Sequence, residues 1–134
     1  MKTITKTITT NKRTEFLEIT NEIQKEIDSS KIDSGIVVIF TPHTTAGITI
    51  NENADPDVKK DIDYKINNMI PVADSNYFHA EGNSDSHLKS SLFGPSLSLI
   101  IENGKLILGV WQAIYFCEFD GPRNRRYFIK IVKD

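Results

Sequence analysis

The residues best suited to chemistry in this chain lie in its polar connections, outside its apolar runs. Its three histidines are His43, in Thr41-Pro42-His43-Thr44-Thr45, His79 and His87. Glu81, Asn83 and Asp85 lie between the last two, in one polar stretch. Neutral imidazoles beside a carboxylate are the donor set that Zn2+ or a similar divalent cation takes, and an open coordination position would allow catalysis. No H-x-x-H or H-E-x-x-H spacing forces the three together, so solvated loop histidines are the alternative. A second feature is Glu118-Phe119-Asp120-Gly121-Pro122-Arg123-Asn124-Arg125-Arg126. A turn followed by alternating arginines places Arg123 and Arg125 on one side of a strand, where two guanidinium forks suit a phosphate or carboxylate. Charge that protects a sheet edge from further pairing explains the same pattern. Glu118 ends an apolar strand. It is either salt-bridged to a nearby arginine or a pocket acid with a raised pKa.

Other reactive types carry less. Cys117 shares a strand face with Tyr115 and Phe119 and reads as a small buried hydrophobe, not a nucleophile. Trp111 reads as a core anchor. Neither a glycine-rich phosphate loop nor a serine nucleophile elbow is present.

The elements that must position these residues follow from periodicity. Residues 2–9 alternate Lys or Ile with Thr, a half-exposed strand, and Glu15 to Ile19 is a second short one. Thr20 is expected to cap a helix whose buried face is Ile19, Ile23 and Ile27, stopping near Asp28-Ser29-Ser30. Ile36 to Phe40 is apolar on both faces, as in a strand covered from both sides, and Ala46 to Ile50 is also extended. Asp55-Pro56-Asp57 starts a helix with a stripe of Val58, Ile62, Ile66 and Met69 that Pro71 ends. Asn83 or Ser84 caps a short helix carrying His87, Leu88 and Leu92. Leu97 to Ile101 and Leu106 to Gly109 flank Asn103-Gly104, a hairpin signal because both turn residues need positive φ. Ala113 to Phe119 and Tyr127 to Val132 are the last strands. The expected fold is α+β: one domain over 1–134, a β-sandwich or barrel-like mixed sheet with two or three helices.

Bulk composition narrows the function classes. The chain has 134 residues, 39% hydrophobic and 25% charged, enough for one real core. A net charge of −2 provides no basic field, so no nucleic-acid partner is expected. Its apolar runs are too short to span a bilayer, and its start lacks a signal-peptide core, so no membrane role is expected. One cysteine fits a reducing compartment, with the cytoplasm as the default. A (β/α)8 barrel, at about 200 residues or more, is excluded by length.

Ser96-(x)2-Leu99-x-Ile101-(x)2-Gly104-(x)4-Gly109-Val110-Trp111-Gln112-x-Ile114 resembles the signature of a small bacterial and archaeal family with members described as secondary thiamine-phosphate synthases. Val110 departs from it, since that family usually has Thr there. Pro42-His43-Thr44-Thr45-Ala46, Asn51-Glu52-Asn53-Ala54-Asp55-Pro56, Asn83-Ser84-Asp85-Ser86-His87 and Asp120-Gly121-Pro122-Arg123-Asn124-Arg125 also look like its blocks. The resemblance implies a homotrimer and a transferase that joins a pyrimidine pyrophosphate to a thiazole phosphate, releasing pyrophosphate, as a weak side activity. On that reading His43, His79 and His87 hold a divalent metal, Zn2+ or Mg2+, and Glu118 and Asp85 orient ligands or move a proton. Arg123, Arg125, Thr44, Thr45 and Asn53 bind the substrate, a small phosphorylated metabolite. Metal-dependent hydrolysis of such a metabolite is the alternative, followed by a non-catalytic ligand- or metal-binding protein.

Overall fold

The computed structural model describes residues 2–134. In chain order the elements are β1 (Ile4–Thr9), β2 (Glu15–Glu18), α1 (Thr20–Ser30), β3 (Gly35–Phe40), β4 (Ala46–Glu52) and α2 (Pro56–Met69). They continue with α3 (Ser84–Phe93), β5 (Ser96–Glu102), β6 (Lys105–Leu106), β7 (Gln112–Glu118) and β8 (Asn124–Lys133). A five-stranded sheet, β1-β8-β3-β5-β6, faces a three-stranded one, β2-β7-β4, and every pairing is antiparallel. This is the α+β single domain expected from the periodicities.

The main core lies between the sheets. Val37, Ile39, Ile101, Ile129 and Ile131 of the larger sheet meet Ile48, Ile114 and Phe116 of the smaller, with Ile23 and Ile27 of α1 closing one side. Each of these strand residues has its alternate neighbour on the opposite face, as pleating requires. The hairpin turn forms as its chemistry demands, with Asn103 at φ 51° and Gly104 at φ 70°. Asp55 caps α2 by accepting from the Asp57 amide at 2.9 Å, with Pro56 in the first turn.

Four expectations are corrected. The N-cap of α1 is the buried Ile19; Thr20 lies inside the helix, and its Oγ1 accepts from the Ile114 amide at 2.9 Å, tying α1 to β7. β3 is covered on one side only: Ile36 and Phe40 are exposed on the outer face, where Ile36 pairs with Ile100 and Val132, and Phe40 with Phe128. On α2 only Ile66 is fully buried and Met69 is 62% exposed, because the helix lies over the margin of the small sheet without being enclosed. Trp111 is no core anchor. It sits in the exposed loop before β7, 63% accessible, beside Val110 at 93%.

Helix α3 is unusual. Its buried residues are Asp85, Ser86, Lys89 and Ser90, whereas Leu88 and Leu92 face outward. Hydrogen bonds dock it. Ser86 Oγ donates to the Phe119 carbonyl at 2.5 Å and Ser90 Oγ to the Ala46 carbonyl at 2.6 Å.

Candidate functional site

Three segments converge beyond the ends of β4, β7 and β8. The loop 41–45 is pinned by the Thr41 amide, which donates to the Pro95 carbonyl at 2.9 Å, and by Thr41 Oγ1, which donates to the Arg126 carbonyl at 3.2 Å. The turn after β7 contains a cis Gly121–Pro122 bond. A Cβ on Gly121 would stand 2.2 Å from the Lys12 carbonyl oxygen and 2.8 Å from Thr10 Oγ1, so only glycine lets this turn lie so close to the chain. The segment 81–87 is joined to that turn by Asn83 Nδ2, which donates to Asp120 Oδ2 at 2.8 Å.

Together they enclose a polar cleft of about 320 Å3. The loop contributes His43, Thr44 and Thr45; the turn and β8 contribute Asp120, Arg123 and Arg125; the segment before and within α3 contributes Glu81, Asn83 and His87. Asn83 Oδ1 is a buried acceptor with no hydrogen-bond partner among the described residues. Such a group costs free energy where it stands, because no partner makes good the hydration it has lost.

His43 is fixed in one tautomer. Its Nε2 accepts from the Arg126 amide at 3.0 Å, which leaves the proton on Nδ1. Burial, then the nearby charges of Arg125, Arg126 and Arg123, hold its pKa below the ordinary 6.5, with Glu118 opposing. His43 is therefore a neutral imidazole that donates from Nδ1.

Glu118 and Arg125 form a buried pair. Arg125 Nε donates to the two carboxylate oxygens at 2.9 and 3.1 Å, and Nη2 donates to Oε2 at 2.5 Å. Nη2 also reaches Thr45 Oγ1 at 2.7 Å, and Thr10 Oγ1 donates to Glu118 Oε1 at 2.7 Å. Burial pushes the Glu118 pKa up, but the hydrogen bonds from Arg125, Thr10 and the Asp120 amide outweigh it and hold the carboxyl below its usual range. Of the two readings of Glu118, the structure gives the salt-bridged carboxylate and not the acid with a raised pKa. Arg123 lies at the surface, its Nη2 donating to Asp120 Oδ2 at 3.0 Å. Both guanidinium groups therefore border the cleft with carboxylate partners already in place, and Arg123 is the accessible one.

Asp85 points from α3 into the fold, fully buried and away from the cleft lining. Arg13 grips it through two nitrogens at 2.9 and 3.0 Å, and Lys89 Nζ donates to it at 2.9 Å and to Asn67 Oδ1 at 2.6 Å. Burial raises its pKa, yet Arg13 and Lys89 more than offset that, so Asp85 stays ionised. It anchors α3 and does not face the cleft. Asn53 is also distant: it follows the far end of β4, roughly 25 Å from Thr45 at about 3.3 Å per residue, and accepts from the Tyr115 hydroxyl at 2.7 Å.

The histidines divide into neighbours. His79 and His87 are 5.2 Å apart by ring centroids, and His79 Nε2 is 3.5 Å from Glu81 Oε2. His43 shares the cleft with His87, but His79 opens onto an adjoining hollow beside Tyr77, Phe78 and Leu88. Among the described residues, no three His, Cys, Asp or Glu side chains form a group able to hold a metal ion. Arg13, Thr10 and Lys89 are not found from the sequence, whereas Asn83 stands in its polar stretch between His79 and His87. Only Lys89 had a signal, standing four residues after Asp85 on one helix face.

The profile of the YjbQ family, described as UPF0047 protein YjbQ-like, matches residues 4–134. The chain belongs to the YjbQ-like UPF0047 family. A UPF0047 protein of Methanocaldococcus jannaschii is 56% identical over 127 residues, covering 95% of this chain and 91% of that one. UPF0047 protein YugU of Bacillus subtilis is 53% identical over 125 residues, covering 93% and 95%. A solved YjbQ/UPF0047-family structure from Clostridium acetobutylicum superposes with a TM-score of 0.94 at 53% identity, covering 96% of this chain and 99% of that one. These matches overturn the resemblance to secondary thiamine-phosphate synthases. They are YjbQ/UPF0047 proteins by name, and nothing in those names points to a thiamine-phosphate synthase. Among the described residues of this UPF0047 chain, no helix is long and apolar enough to cross a membrane.

Proposed function

We propose that the cleft binds a small phosphorylated metabolite and catalyses displacement of its phosphate or pyrophosphate group by a nucleophile. The observation that carries this reading is the juxtaposition of a neutral, Nδ1-protonated His43 with the accessible Arg123 guanidinium in one polar cleft. In such a displacement a carbon–oxygen bond breaks and its electron pair leaves with the phosphate. Charge builds on that leaving group, and fixed donors placed there lower the barrier. Arg123 would exchange its contact with Asp120 for the anion, and His43 Nδ1–H and the Thr44 hydroxyl would donate to it. Arg125, held by Glu118, positions Thr45 through its bond to Oγ1. His87 is the imidazole left to take the proton of the incoming nucleophile.

Titration calorimetry with inorganic pyrophosphate tests the binding half. Arg123→Ala is expected to weaken binding by about 1.5–3 kcal/mol, the usual worth of a hydrogen bond to a charged group. Arg123→Lys is expected to do nearly as much harm, because Lys keeps the charge but loses the planar fork. Binding unchanged in both Arg123→Ala and His43→Ala would overturn the reading.

The same reading includes a homotrimer. It is supported by the outer face of the large sheet, where Ile36, Phe40, Ile100 and Val132 are 41–60% exposed. Phe40 also borders the hollow that contains His43 and His87, so a second copy covering this face would stand at the mouth of the site. Sedimentation equilibrium should give three times the 15.2 kDa chain mass, and Ile100→Lys should lower it. A monomer for the unaltered chain rejects this.

A further inference from the structure

A separate cavity lies on the opposite face of the small sheet, away from every cleft residue. It holds about 160 Å3 between that sheet and α2, walled by the rings of Phe16, Phe93 and Tyr115, with Ile62 above and Thr49 and Asn51 on β4. At its edge is Lys59, whose Nζ stands 5.3 Å from the centre of the Tyr115 ring. Lys59 makes no salt bridge to a carboxylate among the described residues. The side-chain oxygen of Asn51 accepts from the Glu52 amide at 2.7 Å, which commits that end and leaves its NH2 as the donor. The Tyr115 hydroxyl is taken up by Asn53, so the ring offers the cavity its face and not its polar tip.

We propose that this cavity is a binding site for a compact aromatic monocarboxylate, ring against Phe16, Phe93 and Tyr115 and carboxylate on Lys59. The aromatic walls fix the body of the ligand, since rings pack best edge-to-face or offset against other rings. One ammonium and one amide fix the head group as a monoanion; a phosphate would bring a second charge with no cation to meet it. The size agrees. At about 30 Å3 per water the space equals roughly five waters, which a single ring with one substituent fills. This site is independent of the cleft reading.

Benzoate and the uncharged benzyl alcohol are the probes, titrated into the full chain and followed by amide NMR shifts. Benzoate should shift Asn51, Ile62 and Tyr115 saturably in the millimolar range. Lys59→Met keeps the apolar stem and removes the charge; it should weaken benzoate at least about tenfold and change benzyl alcohol less than about twofold. Thr49→Leu, which fills the space, should block both. Arg123→Ala should leave benzoate binding unchanged, which separates this site from the cleft. No saturable shift, shifts confined to cleft residues, or equal binding of benzoate by Lys59→Met would each overturn the proposal.

Discussion

Glu118→Gln is the most informative single change, because the carboxylate it neutralises is fully buried against Arg125. Glutamine can turn its oxygen toward the Asp120 amide and Arg125 Nη2, and its NH2 toward Thr10 Oγ1. Most hydrogen bonds then survive, and what is lost is the charge opposite a buried guanidinium. Breaking a buried pair costs about 3–5 kcal/mol; with hydrogen bonds retained, the lower end, about 3 kcal/mol, is expected. At about 2.1 cal/mol/K per residue, the unfolding entropy of 134 residues is about 0.28 kcal/mol/K. The melting temperature should therefore fall by roughly 10 °C in calorimetry at pH 7. A double-mutant cycle with Arg125→Met isolates the coupling: the double variant should be no less stable than the worse single one. The pH response sharpens it. In the unaltered chain Glu118 titrates below the ordinary 4.5, so its contribution is complete above that value and fades as pH falls through the lowered pKa. In Arg125→Met, burial acts unopposed by the guanidinium and raises that pKa, so stability should instead improve on acidification from pH 7 toward 4.5. Additive single-variant losses, or no reversal of this slope, would refute the argument.

Lys89→Met should cost about 3 kcal/mol in urea denaturation, since it leaves Asp85 with the half-exposed Arg13 alone; a loss under about 1 kcal/mol would refute this role. Cys117 is fully buried and burial pushes its thiol far up, so a thiol reagent should label it only after denaturation. NMR titration of His43 should give a midpoint below 6.5, and its contribution to stability should be present above 6.5 and lost as pH falls through that midpoint. Trp111→Ala should shift the melting temperature by no more than a few degrees, because the ring covers little.

Where the sequence pattern and the fold share a cause, the reading transfers. Asn103-Gly104 and Asp55-Pro56 form their turn and cap because φ and capping chemistry are local. Ile23, Ile27, Val37 and Ile39 are buried because their period matches the element that carries them. The outer face of β3 breaks that logic: apolar on both sides in sequence, it is covered on one side by a single chain. The cleft was partly legible. His43, His87, Arg123 and Arg125 do share it, but Asp85 and Asn53 do not, since a polar residue between apolar runs can cap, anchor or catalyse with the same one-letter signature. Arg13 could not have been found, because its partner Asp85 is 72 positions away.

The polar docking of α3 has a thermodynamic consequence. An apolar helix face can slide by a turn and still bury much of its surface. A face held by Ser86 on the Phe119 carbonyl, Ser90 on the Ala46 carbonyl, Lys89 on Asn67 and Asp85 on Arg13 cannot, because a slide by one turn breaks all of these bonds at once. Register is thereby keyed, and with it the position of His87 beside His43. Releasing this face exposes those polar groups together with the Phe93 ring, which packs on Phe16 and Phe119; polar exposure lowers heat capacity and apolar exposure raises it, so the two offset. Local opening of α3 should therefore be enthalpy-dominated with an almost temperature-independent enthalpy. Amide exchange from α3 would then follow a nearly straight van't Hoff line, while exchange from β3 and β8 curves with the global transition.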